Sequence, residues 1–515
     1  MGEEVFYITT PIYYPNDVPH IGHAYTTVAV DLVARYHRLC GEEVFFLTGT
    51  DEHGQKLQRA AEAEGKDPQS FVDAMEPRWR EVWERLGITY DDYIRTTQPR
   101  HEEVVRALLQ RVYDNGQNDI YLGTFEGLYC VACEAYYTED DLSAAGNCPI
   151  HDRPVEAMAQ QNYFFRLSAY RDRLLEHYEK HPEVVRPETR LNEVLSLVRG
   201  GLQDFSISRT SFDWGFRLPW DPKHVCYVWF DALANYLTGA GYSADPERFA
   251  RTWPADIHFT AKDILRFHAV YWPAMLMAAG LEPARCLFAH GFLTVGGDKM
   301  SKTNATGIHP FQLLDHFGVD AYRYYFMREI QFGADGSFSW ESMARRYKAD
   351  LSDGLGNLAS RVLAMLAKSF GGVVPEPAAA GLEGDLPGTV EAAVARYQEC
   401  MAGAEITDAL TAVWDIVART NKYLVEKEPW ALAKDPGNRD EVASILYASA
   451  EVLRILTLLT YPAMPGAAER LWEQLGVPGC LTEQRIPEAA CWGGLAPGTA
   501  TTKGEALFPR LDEGR

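Results

Sequence analysis

Short apolar runs alternate with amphipathic runs over the first 115 residues of the chain. The segments VFYITTPIYY (5–14) and EVFFLTGT (43–50) are strand-like, whereas HAYTTVAVDLVARYHRLCG (23–41) and QKLQRAAEAEG (55–65) place apolar residues at helical spacing. Gly41 predicts the end of the first of these helices. Strands that alternate with helices are typical of βαβ units, so the pattern predicts an α/β fold with a parallel, Rossmann-type nucleotide-binding sheet.

The pattern changes twice further along the chain. Residues 116–225 are rich in Tyr and Cys and interrupt the alternation, and strand-like runs return in VCYVWFDALANYL, DIHFTAKDI and CLFAHGFLTVGG. From about residue 350 the chain is rich in Ala and Leu at helical spacing, which predicts an all-α helix bundle. We therefore expect a first half of the sheet, an insertion, a second half of the sheet, the bundle and a peripheral tail, at 1–115, 116–225, 226–350, 351–470 and 471–515.

The composition is that of a soluble globular protein. The 515 residues are 47% hydrophobic and 23% charged, and no segment approaches 18 uninterrupted apolar residues, so we expect several domains and no membrane span. The N-terminus lacks the basic region of a signal peptide, and the nine cysteines indicate reduced thiols, which favours a cytoplasmic protein. A net charge of −23 argues against non-specific coating of nucleic acid but allows a local basic surface.

Two histidines follow the turn after the first predicted strand. In PNDVPHIGHAYT (15–26) the prolines break the strand and a helix begins near Gly22, so His20 and His23 lie at a helix N-terminus. Free backbone N–H groups and the helix dipole attract anions there, and two imidazoles would add donors to a phosphate. Taken alone, the pair is more typical of capping or core histidines.

A second basic motif, GGDKMSKTN, occupies residues 296–304. Lys299 and Lys302 flank Met300-Ser301 and follow two glycines that favour a mobile loop. By itself such a loop is typical of a solvated surface. The combination of HIGH after the first strand with KMSKT nearly 280 residues later resembles the double signature of class I aminoacyl-tRNA synthetases.

A third pattern, C-x2-C-x14-C-x2-H, is formed by Cys130, Cys133, Cys148 and His151. Two close pairs separated by a loop have the spacing of zinc ligands, and four ligands leave no open coordination position, so the pattern predicts one structural zinc. The alternative is a set of unrelated thiols with a surface histidine.

Further segments narrow the resemblance to one family. They are, in chain order, TTPIYYPNDVPHIGHAYTT, FFLTGTDEHGQK, YDDYIRTT, EGLYCVACE, NYFFRLS, DFSISR, YVWFDALANYL, KDILRFHAVYWPAML and DGLGNLASR. From about residue 5 to about residue 465 the chain resembles methionyl-tRNA synthetases, and in particular the bacterial form with a single zinc knuckle. The resemblance implies a methionine–tRNA ligase that activates L-methionine with ATP to methionyl-adenylate and transfers the methionyl group to tRNA(Met).

The resemblance also implies which residues bind ATP. His20 and His23, with Gly22 between them, would face the phosphates, and Asp263 would lie near the ribose. Lys299, Ser301 and Lys302 would lie on a loop that closes over the phosphates, with Lys302 against the leaving pyrophosphate. Mg²⁺ should accompany the ATP, although no carboxylate cage for it is evident in the sequence.

The methionine site needs an anion for the α-ammonium group and an apolar slot for the thioether. By resemblance the anion is Asp51, although DEHG alone is as typical of a turn or a helix cap. Aromatic rings pack well beside sulfur. The family positions of the slot are Ile12, Tyr14, Trp229, Ala232, Leu233, Tyr236, Ile264 and His268. Without the family, Trp229 in an apolar run indicates simply a core residue.

The resemblance assigns the bundle to the tRNA anticodon, through Asn357, Arg361 and Trp430. Single-stranded bases stack on aromatic rings and bond along their edges, and residues four apart share one helix face. The alternatives are a solvated helix face for Asn357 and Arg361 and a packed helix start for Trp430. The zinc knuckle would shape the approach of the acceptor end, and the expected state is a monomer.

One departure from the family pattern follows KMSKT. Residues 304–310 read NATGIHP, where the family usually has a Leu-Gly-Asn-type turn before a proline. The turn residues predict a loop of similar length with altered stability. The departure leaves room for a synthetase-like paralogue that activates a methionine analogue or has a biosynthetic or resistance role. A catalytically silent tRNA-binding relative is a third hypothesis, against which the intact HIGH and KMSKT motifs argue.

Overall fold

The computed structural model describes residues 4–131, 135–137, 141–150, 152–295, 298–299, 308–378 and 385–511. The chain divides into two compact units. The first comprises Met1–Val30, Val44–Glu84 and Tyr90–Gly291, and the second comprises Asp31–Glu43, Arg85–Thr89 and Phe292–Arg515.

Strands and helices alternate along the first unit. Its strands are β1 (Phe6–Thr9), β2 (Val44–Thr50), β3 (Asp92–Arg95), β4 (Ile120–Cys130), β5 (Ala135–Tyr137), β6 (Glu156–Phe165), β7 (Val185–Arg186), β8 (Phe205–Ser206), β9 (Ser208–Arg209), β10 (Val225–Cys226), β11 (Ile257–Ala261) and β12 (Leu287–His290). Its helices are α1 (Ile21–Leu39), α2 (Gln55–Ala63), α3 (Pro68–Arg85), α4 (Pro99–Tyr113), α5 (Arg171–Lys180), α6 (Glu188–Arg199), α7 (Val228–Leu233), α8 (Asn235–Ala240), α9 (Pro246–Thr252) and α10 (Trp272–Ala278). The last parts of α1 and α3 belong to the second unit.

A six-stranded sheet forms the centre of the first unit, in the order β3-β2-β1-β11-β12-β7. All neighbouring strands in it are parallel, with Tyr7 opposite Phe45 and Ile8 opposite Ile257. Parallel strands are covered on both faces, and Tyr7, Ile8 and Leu47 are accordingly buried. This order is that of a doubly wound sheet, in which the winding reverses at the first strand. The predicted Rossmann-type fold is confirmed.

The predicted insertion contains an antiparallel sheet of its own. The order is β5-β4-β6-β8, and the long pairing of β4 with β6 extends from Ile120 opposite Phe165 to Tyr129 opposite Glu156. Strands β9 and β10 form a separate antiparallel pair. Strand β7 lies within the predicted insertion but pairs with β12 of the central parallel sheet, and the chain then returns through β8 to the antiparallel sheet of the insertion.

The second unit is mostly helical. A small sheet in the order β14-β13-β15 is formed by β13 (Leu293–Val295), β14 (Asp298–Lys299) and β15 (Gly336–Phe338). The helices are α11 (Pro310–Phe317), α12 (Val319–Glu329), α13 (Trp340–Arg346), α14 (Asn357–Phe370), α15 (Leu386–Ala402), α16 (Ile406–Lys427), α17 (Pro429–Leu432), α18 (Arg439–Thr460) and α19 (Pro465–Leu475). The helical bundle predicted from the Ala- and Leu-rich pattern is confirmed.

Helix α18 is the central helix of this bundle, and every residue from Val442 to Thr460 on it is buried. By length and composition alone, the helical segment Pro436–Thr460 is the one segment in the described part of the chain that could span a membrane. Its apolar window lies entirely inside the protein, which is what a core helix of a bundle requires.

A buried ion cluster lies in the second unit, where the second half of α1 meets α12. The Asp31 carboxylate accepts from Arg35 Nε at 2.8 Å and from Arg323 Nη2 at 2.7 Å, and it also accepts from the backbone N–H and hydroxyl of Thr89. Burial alone would raise the pKa of Asp31, but the two guanidinium groups bring this pKa down to about 2. A buried charge is tolerated here because each partner is also hydrogen-bonded.

The C-terminal segment packs on α18, in contrast to the peripheral tail that its irregular sequence predicts. The buried Glu451 carboxylate accepts from the backbone N–H groups of Gly493, Gly494 and Leu495 at 2.8–2.9 Å. Arg454 pairs with Glu451 at 2.6 Å. The buried apolar side chains between residues 476 and 511 are Leu481, Ile486, Ala490, Leu495, Leu507 and Phe508. The spacing of these side chains follows neither a helical nor a strand period. The irregular backbone is held by individual buried side chains and by hydrogen bonds to its N–H groups.

Candidate active site

The carboxyl ends of β1, β2 and β11 bring distant parts of the sequence to one edge of the central sheet. Strand β1 lies between β2 and β11, and ligands of doubly wound sheets bind outside the carboxyl ends at such a reversal of strand order. The segments that leave these ends carry predicted site residues: Ile12, Tyr14, His20 and His23 after β1, Asp51 after β2, and Asp263, Ile264 and His268 after β11. The topology therefore supports the grouping that the sequence motifs imply.

The two histidines of the HIGH motif form a stacked pair at the start of α1. Their ring centroids are 3.7 Å apart and the rings are inclined by 25°. The backbone N–H of His20 donates to His23 Nδ1 at 3.2 Å, and the backbone N–H of Gly22 donates to His20 Nδ1 at 3.0 Å. Since both Nδ1 atoms accept, a neutral ring at either position carries its proton on Nε2. Each imidazole can thus offer one N–H donor at a helix N-terminus.

Gly22 is required by the close approach of the His20 ring. A Cβ atom at position 22 would lie 2.9 Å from His20 Cε1 and 3.0 Å from His20 Nδ1. The glycine in HIGH therefore leaves the space into which the first imidazole folds.

Aromatic packing fixes His23 from the other side. Its ring lies edge-on to Tyr13, with centroids 5.1 Å apart, and 5.0 Å from the Trp79 centroid. The Tyr13 hydroxyl bonds to Thr27 Oγ1 at 2.8 Å, and Thr27 Oγ1 donates to the His23 carbonyl at 3.0 Å. His23 is buried and His20 is half-buried, so the pair is rigid on one side and accessible on the other.

Asp51 is held beside the segment that carries Ile12 and Tyr14. The backbone N–H of Asp51 donates to the Tyr13 carbonyl at 2.9 Å, and the N–H of Tyr13 donates to the Gly49 carbonyl at 3.0 Å. Asp51 is buried, whereas Ile12 and Tyr14 are half-buried on either side of Tyr13. A buried carboxylate between partly exposed apolar groups is suited to bind an ammonium group.

The remaining predicted pocket residues lie on α7, on α8 and in the turns after β11. Trp229 stacks on Phe267 with centroids 3.7 Å apart and ring planes inclined by only 1°, and it lies edge-on to His268 at 6.3 Å. Ala232 and Leu233 are buried on α7. These aromatic faces form a polarizable surface of the kind on which a thioether packs well.

Tyr236 and His268 are joined by a buried hydrogen bond. His268 Nδ1 lies 3.0 Å from the Ile264 carbonyl, so it is the donor there, and the Tyr236 hydroxyl donates to His268 Nε2 at 2.8 Å. Burial lowers the pKa of the His268 imidazole to about 4. His268 is therefore a neutral, fixed side chain near neutral pH.

The sequence did not single out a buried network behind this pocket. The Asp231 carboxylate on α7 accepts from His53 Nδ1 at 2.7 Å and from His101 Nε2 at 2.8 Å. Burial alone would raise the pKa of Asp231, but the imidazoles of His53 and His101 hold this pKa below its ordinary value. Asp231 is 178 positions from His53 and 130 positions from His101 in the sequence, so local patterns do not reveal the network. Phe267 was missed for the same reason.

For several predicted site residues the structure describes only the backbone or nothing. Lys299 ends β14, of which only the backbone is described, and Ser301 and Lys302 lie outside the described residues, as do Cys133 and His151. The NATG part of the NATGIHP segment, residues 304–307, also lies outside the described residues. The position of the KMSKT side chains relative to the histidine pair accordingly stays a prediction.

The three predicted anticodon residues come together in the second unit. Asn357 and Arg361 lie one turn apart on α14, and the Arg361 guanidinium carbon lies 5.0 Å from the ring centroid of Trp430 on α17. Trp430 is 40% exposed, so part of its ring is accessible to a ligand. An exposed aromatic ring beside a cation and an exposed amide is suited to stack and bond a single-stranded base.

Comparison with known proteins gives the family. The model of class I tRNA synthetases (M) matches residues 6–156 and 145–363, and the model of the anticodon-binding domain of methionyl tRNA ligase matches residues 374–515. The chain belongs to the methionyl-tRNA synthetase family. It is 50% identical to the methionine–tRNA ligase of Streptomyces coelicolor, over 99% of this chain and 98% of that protein. The enzyme of Caldanaerobacter subterraneus is 46% identical over 99% of this chain and 79% of that protein.

Solved structures of the methionyl-tRNA synthetase family agree with this fold. The Mycobacterium tuberculosis methionyl-tRNA synthetase in complex with methionyl-adenylate superposes with a TM-score of 0.94 at 44% identity, over 98% of this chain and all of that one. The apo form of the same protein gives a TM-score of 0.85 at 40% identity. The resemblance drawn from the motifs is thereby confirmed.

In this member of the methionyl-tRNA synthetase family, two of the four predicted zinc ligands are described. Cys130 ends β4, and Cys148 Sγ lies 3.7 Å from the hydroxyl of Tyr137 on β5, which pairs with β4. Both thiols are buried, and the backbone of Cys148 bonds to Asp152 and Arg153 in a tight turn. Within the described ranges no group of three or more Cys, His, Asp or Glu side chains is arranged to hold a metal ion, and the other two predicted ligands lie outside those ranges.

Proposed function

We propose that this chain activates L-methionine with ATP and transfers the methionyl group to tRNA(Met). The observation that carries the proposal is that the segments bearing the HIGH histidines, Asp51 and His268 leave the carboxyl ends of three adjacent strands of one parallel sheet, while the His53–Asp231 hydrogen bond ties the segment after β2 to the helix that bears Trp229. It is supported by 44% identity to a synthetase whose structure is described in complex with methionyl-adenylate.

The first step is attack of a methionine carboxylate oxygen on the α-phosphorus of ATP. The new O–P bond forms as the bond to the bridging oxygen breaks, and pyrophosphate leaves with that electron pair. No protein nucleophile is required. His20 and His23 would donate from Nε2 to phosphate oxygens, on which negative charge grows in the transition state. Lys299, Ser301 and Lys302 would supply further donors, and Asp263 would bind the ribose.

The second part of the site selects the amino acid. Asp51 would accept from the methionine ammonium group, and the aromatic surface around Trp229 and His268 would bind the thioether. Because burial holds His268 neutral, this wall carries no charge that would favour an acidic or basic side chain. Shape and polarizability then discriminate methionine from other apolar amino acids.

In the second step the tRNA 3′ end attacks the methionyl carbonyl and AMP leaves. We assign the anticodon to Trp430, Arg361 and Asn357, since their exposed faces are suited to bind bases. The buried thiols of Cys130 and Cys148 are soft donors that suit Zn²⁺, and with Cys133 and His151 they would hold one structural zinc, which would stabilise the fold of the insertion. ATP is expected as its Mg²⁺ complex. A cytoplasmic monomer completes the proposal.

ATP–pyrophosphate exchange across the twenty amino acids, followed by charging of tRNA(Met), tests this function. We expect exchange with methionine alone and charging of tRNA(Met). Exchange with a methionine analogue but not methionine would favour the paralogue hypothesis. Tight tRNA binding without any exchange would favour the silent relative.

A matched pair of variants tests the ammonium anchor. Asp51→Asn keeps the size of the side chain but loses its charge, so methionine affinity should fall about ten- to hundredfold, the weight of one charge-assisted hydrogen bond. Asp256→Asn also neutralises a carboxylate of the first unit, one that accepts from Arg285 and the Tyr7 backbone, and should leave methionine affinity unchanged. Equal affinities in Asp51→Asn and wild type would place the ammonium group elsewhere.

A further inference from the structure

The Asp231 carboxylate is enclosed on both sides by imidazoles. Its Oδ2 accepts from His53 Nδ1 at 2.7 Å and its Oδ1 from His101 Nε2 at 2.8 Å, and His101 Nδ1 bonds to Thr238 Oγ1 at 2.9 Å. All four side chains are buried. His53 is further enclosed by the rings of Phe216, at 4.5 Å, and Trp214, at 5.3 Å. The hydrogen bonds thus connect segments after β2, on α4, on α7 and on α8.

This network joins the two halves of the methionine site. His53 is two residues after Asp51, the proposed ammonium anchor. Asp231 lies on α7 between Trp229 and Ala232, which belong to the proposed thioether wall. One short hydrogen bond therefore ties the anchoring segment directly to the helix that carries the wall.

The rest of the anchoring segment is fixed independently at each residue. The N–H of Asp51 is bonded to Tyr13, the N–H of Glu52 donates to Thr96 Oγ1 at 2.8 Å, and the Glu52 carbonyl accepts from Trp214 Nε1 at 2.6 Å. These bonds hold the segment to the sheet and to the loop before β10. The bond from His53 is different in that it leads to the helix that carries the pocket wall.

We infer that Asp231 is a positioning residue for methionine binding, which acts through His53 to hold Asp51 at a fixed distance from the side-chain slot. The inference rests on the proposed function. An α-amino acid presents its ammonium group and its side chain from one carbon atom, so anchor and slot must keep one separation to bind both at once. The residues proposed for ATP binding are others, the HIGH histidines, Asp263 and the KMSKT loop, so we expect ATP binding to be independent of the network.

Packing alone does not account for a charged group at this place. A buried carboxylate is costly to desolvate, and well-packed apolar residues of similar volume often replace a buried ion pair without loss of stability. Two directed hydrogen bonds supply an orientation that apolar packing lacks. On this inference the network serves geometry more than stability.

Variants at His53 separate the two roles. In His53→Asn the side-chain amide nitrogen occupies nearly the position of Nδ1 and can still donate to Asp231, whereas His53→Leu removes the donor at similar volume. We expect His53→Leu and Asp231→Asn to raise the KM for methionine in pyrophosphate exchange about ten- to hundredfold, the weight of a hydrogen bond to a charged group. The KM for ATP should stay within about twofold. His53→Asn should restore most of the methionine affinity.

Asp119→Asn is the matched control. Asp119 is another buried carboxylate of the first unit, which accepts from Asn115 and from the Tyr170 hydroxyl, and neither partner is a proposed methionine contact. This variant should lower the melting temperature without changing the KM for methionine. Calorimetric titration with methionine at 25 °C, well below each melting temperature, gives the same comparison without turnover.

The outcomes are distinct. If His53→Leu and Asp231→Asn lose melting temperature but keep the wild-type KM for methionine, the network is structural and the inference is overturned. Failure of His53→Asn to recover affinity would also overturn it, because the donor would then not be what matters. Absence of methionine-dependent exchange in the wild-type protein would instead refute the proposed function, and this inference with it.

Discussion

The imidazoles of His20 and His23 stack with their centroids 3.7 Å apart, and the backbone N–H groups of His20 and Gly22 bind both Nδ1 atoms. The pair is therefore oriented by the backbone of the turn itself. Its Nε2 donors are set before any ligand arrives, which is the condition under which donors stabilise developing charge without a reorganisation cost.

Gly22→Ala tests this orientation. The new methyl group would lie within 3.0 Å of two atoms of the His20 ring, so the ring must move. A displacement of about 1 Å in a positioned group can cost about a hundredfold in rate, and we expect pre-steady-state formation of methionyl-adenylate to slow by about that factor. Gly388→Ala is the control, because Gly388 on α15 has nothing within 4 Å of the added methyl group. An unchanged rate in Gly22→Ala would show that the first step does not depend on this orientation of the His20 ring.

Trp430→Ala separates tRNA recognition from amino-acid activation. If a base stacks on this ring, its removal costs about 1–3 kcal/mol of binding, or about a ten- to hundredfold loss in charging of tRNA(Met). Pyrophosphate exchange and the melting temperature should hardly change, because the ring is 40% exposed. Trp414→Ala is the contrasting variant, since Trp414 is buried and stacks on Tyr324 at 4.1 Å, and it should melt at a lower temperature. A parallel fall of exchange, charging and stability in Trp430→Ala would assign Trp430 to the core instead.

The buried His268 predicts a pH dependence of stability. Its folded-state pKa is about 4, below the ordinary value of 6.5, so the folded protein binds fewer protons than the unfolded chain between these values. The free energy of unfolding should therefore fall as the pH drops from 6.5 to 4, by about 3 kcal/mol from this residue. Chemical denaturation of wild type and His268→Gln across this range measures the difference, which should shrink toward acid pH. Imidazole ¹⁵N shifts that show His268 protonated at pH 6 would contradict the prediction.

The cysteine pattern predicts about one zinc ion per chain after dialysis against a weak chelator. Cys148→Ser should lose most of this zinc by elemental analysis and should impair tRNA charging more than methionine activation, because Cys148 lies in the insertion and outside the central sheet. Cys226→Ser alters another buried thiol, one that bonds to the Tyr227 carbonyl, and should keep the zinc. Stoichiometric zinc in Cys148→Ser would remove Cys148 from the proposed ligand set.

Local patterns in the sequence determined the elements and the family. The helix predicted to end at Gly41 ends two residues earlier, at Leu39. Gly41 itself adopts a φ of 87°, which few other residues tolerate. The alternation of strands and helices was sufficient to predict a parallel sheet, because two parallel neighbouring strands need a crossover connection, which is usually a helix. HIGH, KMSKT and the other segments quoted above were sufficient to predict the methionyl-tRNA synthetase family. The residue types and the spacing that define each motif lie within one short stretch of sequence.

Only the tertiary structure decided which distant residues meet. The strand order β3-β2-β1-β11-β12-β7 places the ends of β2 and β11 on either side of β1, and no local period encodes that order. Asp231 is an unremarkable acidic residue in an apolar run until the fold brings His53 and His101 to its two oxygens. The segment after residue 471 has no period, yet Glu451 and Arg454 hold it on α18. A sequence pattern indicates which face of a segment is buried. The role of a buried polar side chain depends on the residue that it contacts, and the tertiary fold determines which residue that is.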